Sequence, residues 1–306
     1  MSSATDSADP ESGPANEYPD ADRVVFEDRV SMAVHDGVAD VVLERPEKMN
    51  ALDGAMIEGI IAAQAAIGAD PGIRAVVLRG AGRGFCAGLD TEVLADIGQG
   101  ALGGGSESVQ AAAEDVSPGG AARPQLIGWG WYELPQPVVA ALHGPVMGAG
   151  MHIALGTDIR FASPDAKLAF VETEWGLVPD LSPVQSLRRL VRLDVAQDIV
   201  LTSRRIPGAE AESLGLVTRC VEDPVDEAMR TARVIASKSP DAMRAAKGLL
   251  NESGLLPVRE GLALELRTSV ELMATPNQIE AVMSRLEGRE PQFDPPAGGS
   301  HQKETA

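Results

Sequence analysis

Cysteines and aromatic residues are scarce in this chain. Only two of its 306 residues are cysteines, and only 3% are aromatic. Cys86 and Cys220 lie far apart in the sequence and match no metal-ligand spacing. The sequence therefore indicates neither a disulfide framework nor a metal site, as is typical of proteins in a reducing compartment.

Long apolar runs are also missing. No stretch of 18 apolar residues occurs, so we expect no membrane-spanning segment. The first residues are acidic and have no apolar centre, unlike a secretory signal peptide. Together these features predict a cytoplasmic protein.

Basic residues are outnumbered by acidic ones. The chain has 26 Lys and Arg against 45 Asp and Glu, for a formal net charge of −19. A charge of this sign repels phosphate backbones and anionic lipids. We therefore predict that neither nucleic acid nor a membrane surface is a partner.

Composition divides the chain into four segments. Residues 1–22 are predicted to form a disordered acidic tail, and residues 294–306 a second disordered tail. Residues 23–200 are predicted to form the core, and residues 201–293 a helical C-terminal region. Within the core, residues 99–122 form a glycine-rich insert, expected to be either a mobile loop or a weak helix between flexible arms.

The spacing of apolar residues predicts an α/β fold. The stretch 30–44 has the pattern of a β-hairpin with its turn at Asp36 and Gly37. A helix is predicted over 54–67, with Asp53 as its N-cap. Further predictions are buried strands at 75–80, 137–142 and 158–163, and C-terminal helices at 223–238, 240–252, 257–273 and 276–287. Alternating strands and helices favour parallel strand pairing.

Two glycine-bearing turns follow predicted strands: "RGAGRGFCAGLD" at 79–90 and "HGPVMGAGMHIALGTDIRFAS" at 143–163. Backbone N–H groups at such turns and at helix starts can donate to an anion. Two converging donors would form an oxyanion hole. For either turn alone, tight turning explains the glycines equally well. Dinucleotide binding is disfavoured because the first turn lacks the G-x-G-x-x-G spacing.

Ordered sequence blocks resemble the enoyl-CoA hydratase/isomerase (crotonase) family. The blocks are "LERPEKMNALD" (43–53), "AVVLRGAGRGFCAGLD" (75–90), "PVVAALHGPVMGAGMHIALGTDIRFAS" (137–163), "AKLAFVETEWGLVPD" (166–180) and "LTSRRIPGAEAESLGLVTRCV" (201–221). The resemblance implies a spiral of repeated ββα units, a helical trimerisation region, and a homotrimer or dimer of trimers. It also implies an acyl-CoA thioester substrate and no separate cofactor, because coenzyme A enters as part of the substrate.

The resemblance also assigns backbone and coenzyme A contacts. It implies that the N–H groups of Leu89 and Ala149 polarise the thioester carbonyl. The matching positions for coenzyme A binding are Arg45, Lys48, Ala51, Ala87 and Asp90. Trp129, Trp131 and Tyr132 are expected either to line the acyl pocket or to belong to the core.

Catalytic side chains follow from the same comparison. Hydratases of the family use two glutamates; His152 stands at the first position and Glu172 at the second. Phe170, Trp175 and Val178 are expected to surround Glu172. His152 is expected to accept a proton, to orient water or simply to line the pocket.

Asp180 occupies a place that resembles a carboxylate of the dienoyl-CoA isomerases. Its alternative role is to cap a helix over 182–191. The functional prediction is an acyl-CoA enzyme that stabilises a thioester enolate. We favour double-bond isomerisation over hydration because His152 replaces an acid. The alternative from another class is a non-catalytic acyl-CoA-binding or scaffold protein.

Overall fold

The computed structural model describes residues 23–99 and 116–296. The predicted tail at 1–22, most of the insert at 99–122 and residues 297–306 lie outside these ranges. The strands are β1 Val24–Phe26, β2 Val30–His35, β3 Val38–Leu43, β4 Ala75–Gly80, β5 Val138–Leu142, β6 Pro145–Met147, β7 Ile159–Ala162, β8 Lys167–Ala169, β9 Ile206–Pro207 and β10 Arg219–Cys220.

Helices occupy the connections between strands and most of the C-terminal region. They are α1 Gly54–Ala69, α2 Thr91–Gly98, α3 Leu126–Glu133, α4 Ala149–Leu155, α5 Pro183–Leu190, α6 Leu193–Thr202, α7 Gly208–Leu214, α8 Pro224–Ala236, α9 Pro240–Ser253, α10 Val258–Leu272 and α11 Pro276–Glu287. None of these helices is long and apolar enough to cross a membrane.

The larger sheet has the strand order β1-β2-β3-β4-β5-β7-β10. The predicted hairpin is confirmed: β2 and β3 pair antiparallel, and Asp36 and Gly37 have the positive φ values of 51° and 78° that a tight hairpin turn requires. Strands β3, β4, β5 and β7 pair in parallel, as the alternation of strands and helices predicted.

Both faces of the larger sheet are covered. Val76 and Leu78 of β4 pack into the core that contains α1, whereas Val77 packs against residues of α8. Successive side chains of a strand point to opposite faces, so a strand covered on both sides is apolar throughout. This explains why residues 75–78 of β4 and all of β5 appear in the sequence as unbroken apolar runs rather than as alternating patterns.

A smaller sheet has the order β6-β8-β9, with β6 and β8 parallel and β8 and β9 antiparallel. Its strands are two or three residues long. Strands β9 and β10 lie within residues 201–293, which the sequence predicted to be a helical region. A two-residue strand contains no measurable period, so sequence spacing could not identify it.

Predicted helices agree closely with the structure, and so does the predicted cap of α1. Asp53 caps α1 by accepting a hydrogen bond from Met56 N at 2.8 Å. The C-terminal helices lie where predicted, to within two residues at each end. At the C-terminal end, Asp294 N donates to Asn277 Oδ1 at 2.9 Å, so the packed chain extends past residue 293.

Candidate active site

The two glycine-bearing turns lie against each other. Met147 N donates to the carbonyl oxygen of Cys86 at 2.9 Å. A Cβ atom on Gly150 would lie 2.5 Å from that same oxygen, and one on Gly88 would lie 2.8 Å from the carbonyl oxygen of Met147. Real Cβ atoms do not approach backbone so closely, and Gly88 also has a φ of +95°. The glycines at 88 and 150 are therefore needed for the contact between the two turns.

Leu89 and Ala149, the two predicted oxyanion residues, lie at this contact. Leu52 N donates to Gly88 O at 2.7 Å, and Asp90 N donates to Leu52 O at 2.9 Å. These two bonds flank Leu89 and leave its N–H free. Ala149 is the first residue of α4, where N–H groups have no partner within the helix. Within 23–99 and 116–296, neither N–H donates a backbone hydrogen bond.

Glu172 and His152 come together next to the start of α4. His152 Nε2 lies 3.0 Å from Glu172 Oε1, with side-chain exposures of 1% and 10%. The contact is short but is not aligned as a hydrogen bond. His152 Nδ1 and Nε2 and Glu172 Oε2 have no hydrogen-bond partner in the described parts of the chain. Buried polar atoms are normally satisfied, so this pair indicates a functional site.

Gly148 brings the Glu172 carboxylate close to the backbone that precedes Ala149. A Cβ atom on Gly148 would lie 3.1 Å from Glu172 Oε1, and Gly148 has a φ of +49°. Glu172 itself begins the 3-10 helix Glu172–Trp175, which follows β8. The geometry thus places a carboxylate, an imidazole and a free helix N-terminus side by side.

The surroundings of Glu172 differ from the expectation. Phe170 is 1% exposed and its ring lies 5.9 Å from that of His152, but Trp175 and Val178 are 58% and 68% exposed. The prediction that Trp175 and Val178 bury Glu172 is wrong. Trp175 ends the 3-10 helix at the surface, and Val178 lies three residues beyond it, also at the surface.

A cavity of about 170 Å³ that is open to solvent lies next to the Glu172 helix and is lined by Leu94, Gly98, Trp175 and Leu177. Leu177 N donates to Glu172 O at 2.9 Å, which joins the cavity wall to the candidate catalytic residue. Sequence reasoning did not identify this lining.

The aromatic residues expected either to line the acyl pocket or to belong to the core lie elsewhere than in this lining. Trp131 is fully buried. The Arg189 guanidinium lies 5.5 Å from the ring centre of Trp129 and 4.5 Å from that of Tyr132.

The predicted coenzyme A residues form one cluster. Arg45 Nη1 lies 2.6 Å from Asp90 Oδ2 and donates to Ala51 O at 3.0 Å. Lys48 Nζ lies 4.0 Å from Asp90 and is 45% exposed. Ala87 N donates to Met49 O at 2.9 Å. The structure therefore brings all five positions together, but Arg45 is 11% exposed and engaged within the chain, whereas Lys48 is accessible.

Two ionisable side chains in these loops have shifted pKa values. The pKa of Asp90 lies below its ordinary value, first because Glu92 N donates to its carboxylate and then because Arg45 is adjacent. Burial raises the pKa of the Cys86 thiol to about 12. Cys86 is therefore a neutral packing residue at pH 7 and not a nucleophile.

Asp180 does not join the pair formed by His152 and Glu172. It is exposed, and no hydrogen bond or ion pair joins its carboxylate to Glu172 or His152. Its carbonyl oxygen accepts from Gln125 Nε2 at 3.1 Å. Ser182 occupies the N-cap of α5, so the alternative that Asp180 caps this helix is wrong. Its predicted role toward a dienoyl-CoA stays a prediction.

The described ranges contain no group of three or more His, Cys, Asp or Glu side chains that could hold a metal ion. The groups that the site does offer are two free N–H donors, one carboxylate and one imidazole. Such a set can stabilise a negative oxygen and transfer a proton at a neighbouring carbon.

Comparisons with known proteins point to one family. The family model described as "Enoyl-CoA hydratase/isomerase" matches residues 33–296. A Mycobacterium bovis protein named "Probable enoyl-CoA hydratase" is 31% identical over 256 residues, which cover 83% of this chain and 93% of the relative. The human mitochondrial methylglutaconyl-CoA hydratase is 26% identical over 264 residues, covering 84% and 74%.

Solved structures are similar over the same region. The crystal structure of an enoyl-CoA hydratase from Bacillus anthracis has a TM-score of 0.77 and 28% identity, covering 88% of this chain and all of the other. One from Polaromonas has a TM-score of 0.76 and 26% identity, covering 87% and 100%. These similarities confirm the crotonase-like α/β fold with a helical C-terminal region.

Proposed function

Because the chain belongs to the enoyl-CoA hydratase/isomerase family, we propose that it binds an acyl-CoA thioester and acts at the enoyl double bond. The observation that carries the proposal is the buried pair of His152 and Glu172, 3.0 Å apart at the start of α4. The apolar cavity lined by Leu94, Gly98, Trp175 and Leu177 supports an uncharged, apolar acyl chain.

The N–H groups of Leu89 and Ala149 are proposed to donate to the thioester oxygen. Negative charge develops on that oxygen when the substrate becomes an enolate. Donors that are already in place stabilise this charge without reorganisation, and the N-terminal end of α4 favours it further. We therefore propose thioester enolates as the intermediates that this site stabilises.

Glu172 is proposed to be the base. In isomerisation it would remove a proton from the carbon next to the thioester and return it two carbons further along the chain. One carboxylate suffices because it holds the same proton between the two steps. We favour this reaction because His152, not a second acid, faces Glu172.

Hydration is the second candidate reaction. It is supported by His152 Nδ1 and Glu172 Oε2, which are buried and have no protein partner among the described residues. A water molecule between such groups could be oriented for attack on the double bond. His152 would then orient the water. The water oxygen would bond to the far carbon of the double bond while Glu172 takes up the proton that the water loses, and the carbon next to the thioester would receive a proton from Glu172.

Coenzyme A is proposed to contact Lys48 and the backbone at Ala51 and Ala87. Lys48 is the accessible cation of this cluster, with 45% of its side chain exposed. Arg45 and Asp90 would instead hold the two loops together through their 2.6 Å ion pair.

A substrate panel tests the proposed function. The protein is incubated separately with crotonyl-CoA, a 3-enoyl-CoA and a 3,5-dienoyl-CoA, and the ultraviolet absorbance of the conjugated thioester is followed. Turnover of the 3-enoyl-CoA supports isomerisation, and loss of crotonyl-CoA absorbance supports hydration. Binding without any turnover would favour the non-catalytic alternative and contradict the proposal.

His152→Gln separates the two reactions. We expect hydration to fall by about 10²–10⁴, because the substitution removes the imidazole that orients water, and isomerisation to fall less than about tenfold. The rates are compared at saturating crotonyl-CoA and 3-enoyl-CoA, and thermal unfolding shows whether the variant is folded. An unchanged hydration rate in a folded variant would exclude the water-orienting role.

We also propose that the chain forms a homotrimer or a dimer of trimers through its C-terminal helices. Helix α10 exposes Val258, Leu262, Leu266 and Val270 by 56% to 79%, at intervals of four residues. Four-residue spacing aligns these side chains along one side of the helix. A contiguous exposed apolar surface of this kind indicates a protein interface.

Leu266→Glu tests the assembly. We expect it to shift the sedimentation mass from three or six times the chain mass of 32.0 kDa toward the monomer, because it places a charge in the apolar row. Arg267→Glu is the matched control, since it puts the same residue at the exposed neighbouring position and should leave the mass unchanged. A monomeric parent protein would contradict the proposal.

A further inference from the structure

Asn50 is a fully buried polar residue in the turn before α1. It is 0% exposed and has a φ of +55°, a backbone conformation that asparagine tolerates better than most residues. Its side-chain oxygen accepts from Arg45 N at 2.8 Å. Its Nδ2 donates to the carbonyl oxygens of Ala81, Gly84 and Phe85 at 2.9, 2.9 and 3.1 Å.

The carbonyl groups that Asn50 holds belong to the turn that leads to the oxyanion residue Leu89. The two loops are joined again further along, where Ala87 N donates to Met49 O at 2.9 Å and Leu52 N to Gly88 O at 2.7 Å. The Asn50 carbonyl oxygen also accepts from Cys86 Sγ at 3.1 Å. The chain from 81 to 90 is thus held against the loop around Asn50.

This arrangement needs an amide. Donating to several carbonyl oxygens while accepting from an N–H requires an NH₂ and a C=O in one small group, which among short side chains is that of asparagine. Asn50 is fully buried, and its side chain bonds to backbone groups of the chain. It acts only through the backbone that it fixes.

We propose that Asn50 is a positioning residue of the oxyanion hole, which sets the direction of Leu89 N–H by holding the 81–88 turn. This inference rests on the proposed function. A displacement of the N–H by a fraction of an ångström weakens a hydrogen bond that is made most strongly in the transition state. Loss of the Asn50 amide should therefore lower kcat more than it raises KM.

Asn50→Gly is the test variant, because glycine tolerates the positive φ and the substitution removes only the side chain. We expect kcat to fall by about 10²–10³, the effect of losing one oxyanion donor, with KM changed less than about fivefold. The infrared carbonyl band of bound crotonyl-CoA should also shift back toward its position in free crotonyl-CoA. Loss of packing alone would lower thermal stability and leave the band of the bound thioester unchanged.

Met49→Gly is the matched control, since Met49 is the neighbouring residue with a positive φ of 50° and makes no side-chain hydrogen bond to the turn. It should keep kcat within about twofold. Asn50→Ser, which retains one hydroxyl donor, serves if Asn50→Gly does not fold, and is expected to have an intermediate kcat and band position.

A folded Asn50→Gly or Asn50→Ser variant with the parent kcat and carbonyl band would overturn the inference alone. A parent protein that neither turns over an enoyl-CoA nor shifts the carbonyl band of bound crotonyl-CoA would overturn the proposed function and this inference with it.

Discussion

Glu172→Gln is expected to lower kcat on the best enoyl-CoA substrate by about 10²–10⁴. Glutamine has the size and shape of glutamate but cannot take up the proton that either reaction must move. Because the side chain is only 10% exposed and lies against Gly148 and His152, the substitution changes the proton acceptor with little change of shape. Substrate affinity should change much less than kcat, since thioester binding does not require the carboxylate charge.

Glu174→Gln is the control for this experiment. Glu174 lies on the same 3-10 helix, but its side chain is 42% exposed and is paired with Arg205. Arg205 also lowers the pKa of Glu174, as expected of a structural ion pair. This variant should retain the parent kcat. A folded Glu172→Gln protein that keeps more than about a tenth of the parent kcat would exclude Glu172 as the base.

Lys247→Met is expected to lower the free energy of unfolding by about 3 kcal/mol, the lower end of the cost of breaking a buried ion pair. Lys247 Nζ lies 2.8 Å from Asp158 Oδ2 and donates to Trp131 O and Gln136 O, each at 3.0 Å. Methionine fills the space of the aliphatic stem but leaves Asp158 without its cation. The lower end of the range applies because the Asp158 side chain is 21% exposed.

The titration behaviour of this pair agrees with its burial. Burial lowers the pKa of Lys247 and raises the pKa of Asp158, and each partner opposes the shift of the other. Burial therefore disfavours the charged form of each group when its partner is absent. Adding Asp158→Asn to Lys247→Met should therefore recover more than half of the lost stability, because it removes the unpaired carboxylate.

Lys238→Met is the control, because Lys238 is exposed between α8 and α9 and its substitution should change stability by less than about 0.5 kcal/mol. Denaturant unfolding is measured at equal protein concentrations, since association contributes to the stability of an oligomer. If Lys247→Met unfolds at the parent denaturant concentration, the pair does not join α9 to the core as the structure indicates.

Sequence patterns predicted the elements well where a pattern is long enough to be measured. The hairpin at 30–44, helix α1 with its Asp53 cap and the C-terminal helices agree with the structure. Strands β9 and β10 were missed because their two residues carry no period. The exposure of Trp175 was also missed, because the direction of a turn after Glu172 depends on contacts that are distant in sequence.

The candidate site was predicted in part. Glycines at 88, 148 and 150 and the residues Glu172 and His152 could be identified from the sequence blocks. The contact between Glu172 and His152 could not, nor could the engagement of Arg45 by Asp90 or the cavity beside Leu177. Each of these depends on which loops the parallel strands bring to one edge of the sheet.

The chain alone determined its alternating strands and helices, its glycine turns and the chemical groups that it carries. Local backbone preferences and apolar spacing act over a few residues, so these features can be identified directly. Tertiary structure decided which groups meet: Asn50 with three carbonyls of a distant turn, Lys247 with Asp158, and His152 with Glu172. Such contacts are fixed by strand order and packing across the whole core, because backbone preferences within a segment contain no information about its distant neighbours.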